Sequence, residues 1–191
     1  MNKTSIGSKP FILPTPVMVI GSYDKFGMPN IATAAWGGVI SHVPKAYVNC
    51  CFRSETYTHD CIIESKAFTI NFPSVNFLKE TDYCGIYSGK DENKFTSLNL
   101  TAVKSTLVNA PYIEDFPLIL ECTLFQTVRI NRHTQFIGEV QDVKIQTDLL
   151  DETGKLALTQ LDPIIYSTAD GSYYSIGKNL AKSYSFKKIK E

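Results

Sequence analysis

Apolar and polar positions along this chain fall into short runs rich in β-branched and aromatic residues, the pattern of strands rather than of long amphipathic helices. PTPVMVIGS, NIATAAWGGVIS, AYVNCCF, AFTINFP, LILECTLFQTVRI, TQFIGEVQDVKIQ and IIYS are each of strand length and are separated by turn-forming residues. Asp24-Lys25-Phe26-Gly27 predicts a hairpin turn between the first two runs, and Arg132-His133 predicts another between two long strands that pair antiparallel. Two segments predict short helices. THDCIIESK opens with Thr58 as a possible cap, and SVNFLKETDYCG starts at Ser74 and stops at Gly85.

The strands do not alternate with helices, and no internal repeat is present, so a parallel doubly wound sheet is disfavoured. The expected fold is mainly β, a closed or split antiparallel barrel with a few short helices over its ends. With 191 residues and no linker of biased composition, the chain predicts a single domain, its core at about residues 10–180.

Composition changes this picture little, but it narrows the partners. Nineteen basic residues balance nineteen acidic ones, so no global field favours nucleic acid or an anionic membrane, although the end, KKIKE, is locally basic. No apolar run reaches the roughly 20 residues of a membrane span, and the N-terminus does not read as an export signal. The five cysteines, Cys50, Cys51, Cys61, Cys84 and Cys122, form no C-x-x-C pair and read as free, mostly buried thiols of a cytoplasmic protein. Small molecules are the expected ligands. Eleven Phe and ten Tyr suit a flat-ring ligand or a large dimer interface, and an aromatic-rich β core explains them equally well.

Candidate chemistry concentrates between Asn30 and Thr58. Thr33, Ala34 and Ala35 are small enough to let a ligand lie against backbone, while Arg53, Ser54, Thr56 and Thr58 form a cationic, hydroxyl-rich turn suited to a phosphate. A solvated surface turn is the competing explanation. Asn49-Cys50-Cys51 is a weak metal or redox signal, because neighbours on a strand point to opposite faces and cannot chelate one ion. Thr58-His59-Asp60-Cys61 contains the residue types of a nucleophilic site without the geometry of one, and His42 and His133 read as loop residues. Cys84-Gly85-Ile86-Tyr87-Ser88-Gly89 with Lys94 allows close backbone approach but is neither a Walker loop nor a dinucleotide fingerprint.

Taken in order and spacing, PTPVMVIGSYDKFGMPNIATAAWGG, ISHVPKAYVNCCFRSETYT, FTINFPS, DYCGIYSGKDENKF, PLILEC and FIGEV resemble the flavoredoxin branch of the flavin reductase-like, FMN-binding split-barrel family. The resemblance implies a split barrel, a homodimer, and FMN held near the subunit interface. It implies that Thr33, Ala34, Ala35, Trp36, Asn49, Cys50 and Cys51 border the flavin ring, and that Arg53, Ser54 and Thr58 cradle its phosphate. Tyr57 stands where the family often carries an aromatic, and Cys84, Gly85, Ser88 and Lys94 match its C-G-x-x-S-G-x-x-x-x-K-F segment near the flavin. The cradle departs from many relatives in having Ser54 and Glu55 where they place a proline after the arginine, and Glu55 is expected to face solvent.

The function so implied is an NAD(P)H-dependent flavin reductase in which the flavin carries the chemistry and no side chain is catalytic. The second reading is a non-enzymatic, flavoredoxin-like electron carrier between protein partners. A third is a split-barrel module of the pyridoxamine-phosphate-oxidase kind that prefers another ligand.

Overall fold

The computed structural model describes residues 1–185, so the basic end KKIKE lies outside the described residues. The strands in chain order are β1 (Thr15–Pro16), β2 (Met18–Tyr23), β3 (Pro29–Ala34), β4 (Gly37–Ser41), β5 (Tyr47–Arg53) and β6 (Ala67–Phe72), then β7 (Ala102–Lys104), β8 (Pro111–Ile113), β9 (Leu118–Ile130), β10 (His133–Ile145), β11 (Ile165–Ser167) and β12 (Ser172–Tyr174). The helices are α1 (Tyr57–Ser65), α2 (Leu78–Ile86), α3 (Lys94–Ser97) and α4 (Leu158–Leu161). None of them is long and apolar enough to cross a membrane.

Seven strands form one sheet in the order β3-β2-β6-β9-β10-β5-β4, and every pairing in it is antiparallel. Its two outermost strands, β3 and β4, are consecutive in the chain and joined by Ala35 and Trp36 alone. The link from Ala34 to Gly37 reaches at most about 11 Å when fully extended. The sheet must therefore curl until its edges nearly meet, and because β3 and β4 share no ladder the barrel is split. Register shifts at Ile137/Gly138 and Val140/Asp142 mark irregularities along the long β9–β10 hairpin, where added twist helps the closure. Gly138 is required there, since a Cβ would press on the Phe68 ring and the Cys122 Cβ.

NIATAAWGGVIS, predicted as one strand, is thus two strands on opposite edges of the sheet. The reason lies in packing: a Cβ at Gly37 would overlap the Asn49 carbonyl oxygen and crowd the Met18 methyl, so only glycine lets β4 turn onto β5. The bond from the Cys51 N–H to the Trp36 carbonyl (2.9 Å) secures the crossing.

The barrel interior holds Met18, Ile20, Ala34, Val48, Cys50, Phe52, Phe68, Ile70, Cys122 and Phe136, with Ile62 of α1 entering from one end. A second cluster of Val19, Ile31, Cys84, Phe95, Ile113 and Phe116 lies on the opposite faces of β2 and β3, under α2, α3 and β8. The alternation of Met18 and Ile20 against Val19 shows why β2 reads as a continuous apolar run: both faces are covered. Asn71 and Thr69 of β6 serve the outer layer, with Asn71 Nδ2 donating to the Val19 carbonyl and the Ile113 N–H donating to Asn71 Oδ1 (both 2.9 Å).

Both helix predictions are corrected at their ends. α1 starts with Thr56 as N-cap, and Thr58, expected to cap, lies inside the first turn with its side chain buried. Ser74 caps a single 3-10 turn, Val75–Phe77, and α2 then runs through Gly85 to Ile86. Gly85 is a close-packing position, where a Cβ would stand 3.4 Å from that of Thr33.

Candidate functional site

A cleft of about 820 Å³ opens on the outside of the barrel where β3, the Ala35-Trp36 crossing, β5, α1 and the end of α2 meet. Thr33, Ala34, Ala35 and Trp36 form one wall, as expected, and Cys51 joins them from β5. The turn after β5 contributes Arg53 and Thr56, and α1 contributes Tyr57 and Thr58. Cys84, Gly85 and Ser88 bring the far segment of the chain to the same space. The tertiary fold thereby unites three stretches that the sequence separates.

The Arg53 end of the cleft joins a cation to the start of a helix. Arg53 is exposed, and its guanidinium has no carboxylate or hydrogen-bond partner among the described residues. The Thr56 hydroxyl turns back to donate to the Arg53 carbonyl (2.9 Å) and makes no capping bond to α1. The N–H groups opening this nine-residue helix are left without a side-chain acceptor, at its positive end. Glu55, expected to face solvent, is exposed but also borders the cleft; its own N–H, the bond to Arg132 and the nearby Arg53 charge hold its carboxylate below the ordinary range.

Tyr57 is held from outside the cleft. Its hydroxyl donates to Asp24 Oδ2 (2.8 Å), and that bond, with some burial, pushes the phenol up to about 12. Asp24 in turn closes the β2–β3 hairpin by accepting from the Phe26 and Met28 N–H groups. Two thiols and a second phenol of the cleft are likewise raised. Burial raises the Cys51 thiol, and raises the Cys84 thiol to about 12 against the opposing Lys94 charge. Tyr173 reaches about 12 through burial and its bond to Asp82.

Four of the expected residues do not line this cleft. Cys50 points into the barrel and is fully buried, because alternation along β5 sends Cys50 and Cys51 to opposite faces. Asn49 uses its Nδ2 to hold the Gly38 carbonyl (3.1 Å), fastening β4 to β5. The Ser54 hydroxyl is turned to the Arg132 carbonyl (3.3 Å) on the β9–β10 turn. Lys94 is 3% exposed and donates to the Tyr87 carbonyl (2.9 Å), so it braces the loop after α2 instead of presenting its charge to the cleft. Burial lowers its pKa.

Other lining residues were not singled out from the sequence. His133 opens β10 instead of lying in a loop, and its ring stands 5.0 Å from that of Trp36. Tyr166 of β11 and Tyr173 of β12 close the far side, where Tyr173 donates to Asp82 Oδ1 of α2 (3.0 Å). The aromatic doublet SYY after the run IIYS was the available signal. The His59 cluster has a different role: His59 bridges Asp60 (3.0 Å) and the buried Thr134 of β10 (3.1 Å), and neither His59 nor Thr134 reaches the cleft.

Residues 11–177 match the model of the flavin reductase like domain. The chain belongs to the flavin reductase-like family. This flavin reductase-like chain superimposes on the flavoredoxin of Desulfovibrio vulgaris (Miyazaki F) with a TM-score of 0.91 at 40% identity, covering 96% of this chain and 98% of that one. It superimposes on the flavoredoxin of Methanosarcina acetivorans with a TM-score of 0.89 at 28% identity, covering 97% of each. A protein of Archaeoglobus fulgidus is 35% identical over 115 residues, 60% of this chain and 64% of that relative, slightly under two thirds of its length.

Proposed function

We propose that the cleft binds FMN and that the protein is an NAD(P)H-dependent flavin reductase. The observation that carries this reading is the continuity of the cleft: a wall of small and apolar groups from Thr33 to Trp36 and Cys51 runs into Arg53, unpaired among the described residues, beside the start of α1 that no side chain caps. A flat ring with an anionic tail fits both ends at once. FMN, when bound, supplies a centre that accepts hydride and releases electrons in pairs or singly.

The protein's own tasks are then to grip, orient and partly cover. Arg53 and the first-turn amides of α1 neutralise the phosphate. Thr33 to Trp36 present backbone and small side chains to the ring, and Tyr87, Tyr166 and Tyr173 exclude water from the opposite side. We place the protein in the cytoplasm, where five free thiols, four of them buried, are stable. We further propose a homodimer, because Val39, Ile40 and Val43 on and after edge strand β4 are exposed next to Trp36 at the cleft.

The experiment is steady-state oxidation of NADH and NADPH by the purified protein with added FMN, beside a flavin-binding titration. Turnover with at least one nicotinamide supports the reductase. Tight flavin binding with negligible turnover overturns it in favour of electron transfer between protein partners, the reading favoured by 40% identity to a flavoredoxin over nearly the whole chain.

A further inference from the structure

Asn30 is 5% exposed at the start of β3, and its Oδ1 has no hydrogen-bond partner among the described residues. A buried amide with half its capacity unused asks for an explanation. Its Nδ2 donates to Oγ1 of Thr58 (2.9 Å), which is itself 3% exposed and lies in the first turn of α1 on the cleft wall. An N–H can only donate, so it occupies an acceptor position of the hydroxyl and obliges the Thr58 O–H hydrogen to point elsewhere. That hydroxyl makes no other hydrogen bond among the described residues.

Gly89 sets the orientation of the amide. A Cβ at Gly89 would overlap Asn30 Oδ1, so the Gly89 Cα hydrogen in that position points at the oxygen. Such a C–H···O contact suits an oxygen there and gives nothing to an NH₂ group, which directs Nδ2 to Thr58. We propose that Asn30 is a positioning residue that aims the Thr58 hydroxyl into the anion end of the cleft, with Gly89 leaving it room. The proposal rests on the FMN reading and adds to it the orientation of one phosphate donor.

Fluorescence titration of FMN and riboflavin against the wild type, Asn30→Ala, Thr58→Val and the double variant tests it, with melting temperatures measured alongside. Asn30→Ala and Thr58→Val are each expected to raise the FMN Kd by about 5- to 10-fold and that of riboflavin by less than about 2-fold, the scale of one lost hydrogen bond. The double variant should be no worse than either single one. If Asn30→Ala does not fold, Gly89→Ala approaches the same bond by displacing the amide and should give the same FMN-selective loss, absent in a Thr58→Val background. Equal losses for both flavins, or multiplying effects in the double variant, overturn the positioning role. A wild type that binds riboflavin as tightly as FMN removes the phosphate reading itself, and this proposal with it.

Discussion

Cys50 and Cys51 are neighbours in sequence and inhabit different parts of the molecule. Cys50 is buried in the barrel among Met18, Phe68 and Phe136, where burial drives its thiol well above the ordinary range. Cys51 looks outward into the cleft, half-buried, beside Trp36 and Arg53. Along β3 the division is less strict: Thr33 meets α2, while Ala34 packs inward and still borders the cleft where the strand ends. The barrel face is apolar and closed, so it contributes stability. Where the outer face borders the cleft it is small, polar in patches and open, so there it can contribute recognition. One strand serves both because successive side chains alternate.

That division predicts separable effects, the largest of them inside the barrel. Phe136→Ala should cost about 3–5 kcal/mol of stability, as removal of a fully buried ring does, while flavin affinity of the folded fraction stays within about 2-fold. Denaturant unfolding and flavin titration together check this, and a matching loss of affinity would blur the distinction between the two faces.

Next in size is the cleft. Arg53→Ala should weaken FMN by about 1.5–3 kcal/mol more than riboflavin, with a nearly unchanged melting temperature, because among the described residues the exposed guanidinium makes no hydrogen bond or ion pair. Equal weakening of both flavins would show that Arg53 does not hold the phosphate.

The vicinal cysteines give the sharpest contrast. Cys50→Ser buries a hydroxyl without a partner and should destabilise by about 1–3 kcal/mol, whereas Cys51→Ser should change stability by less than about 0.5 kcal/mol. Comparable losses at both positions would contradict the assignment of the two faces.

The smallest effect concerns the outside support of Tyr57. Burial raises the Asp24 pKa, but the Met28 and Phe26 N–H groups and the Tyr57 hydroxyl together hold it below the ordinary carboxylate value. A carboxylate depressed in the folded state contributes stability that is present above its unfolded pKa, near about 4, and is lost as the pH falls through the lower folded value. Wild type should therefore melt higher than Asp24→Asn at neutral pH, with the gap closing below about pH 4. A gap that persists through pH 3 would mean that the hairpin, and not the charge, anchors Tyr57.

Many of the strands themselves were legible because β5, β6, β9 and β10 carry uninterrupted apolar or alternating runs with turn residues between them. Arg53, Tyr57 and Thr58 were legible as a candidate anion site because a cation and hydroxyls cluster where a strand yields to a helix. His133, Asp82, Tyr166 and Tyr173 were not, because each is a single polar or aromatic residue whose neighbours in sequence say nothing about a shared cleft. Lys94 shows the opposite failure: its position in the segment reads as an anion contact, yet its ammonium is spent on the carbonyls that end α2.

By itself the sequence determined that the chain is a set of antiparallel strands with a cationic, hydroxyl-rich turn between Arg53 and Thr58, since both follow from local periodicity and residue chemistry. Only the tertiary structure decided that NIATAAWGGVIS breaks at Ala35-Trp36 and joins the two edges of one curled sheet. The physical reason is that the break is made by contacts distant in sequence, the Cys51 N–H on the Trp36 carbonyl and the close fit of Gly37 against Asn49 and Met18. The same closure brings Trp36 beside Cys51 and His133 and so creates the cleft wall.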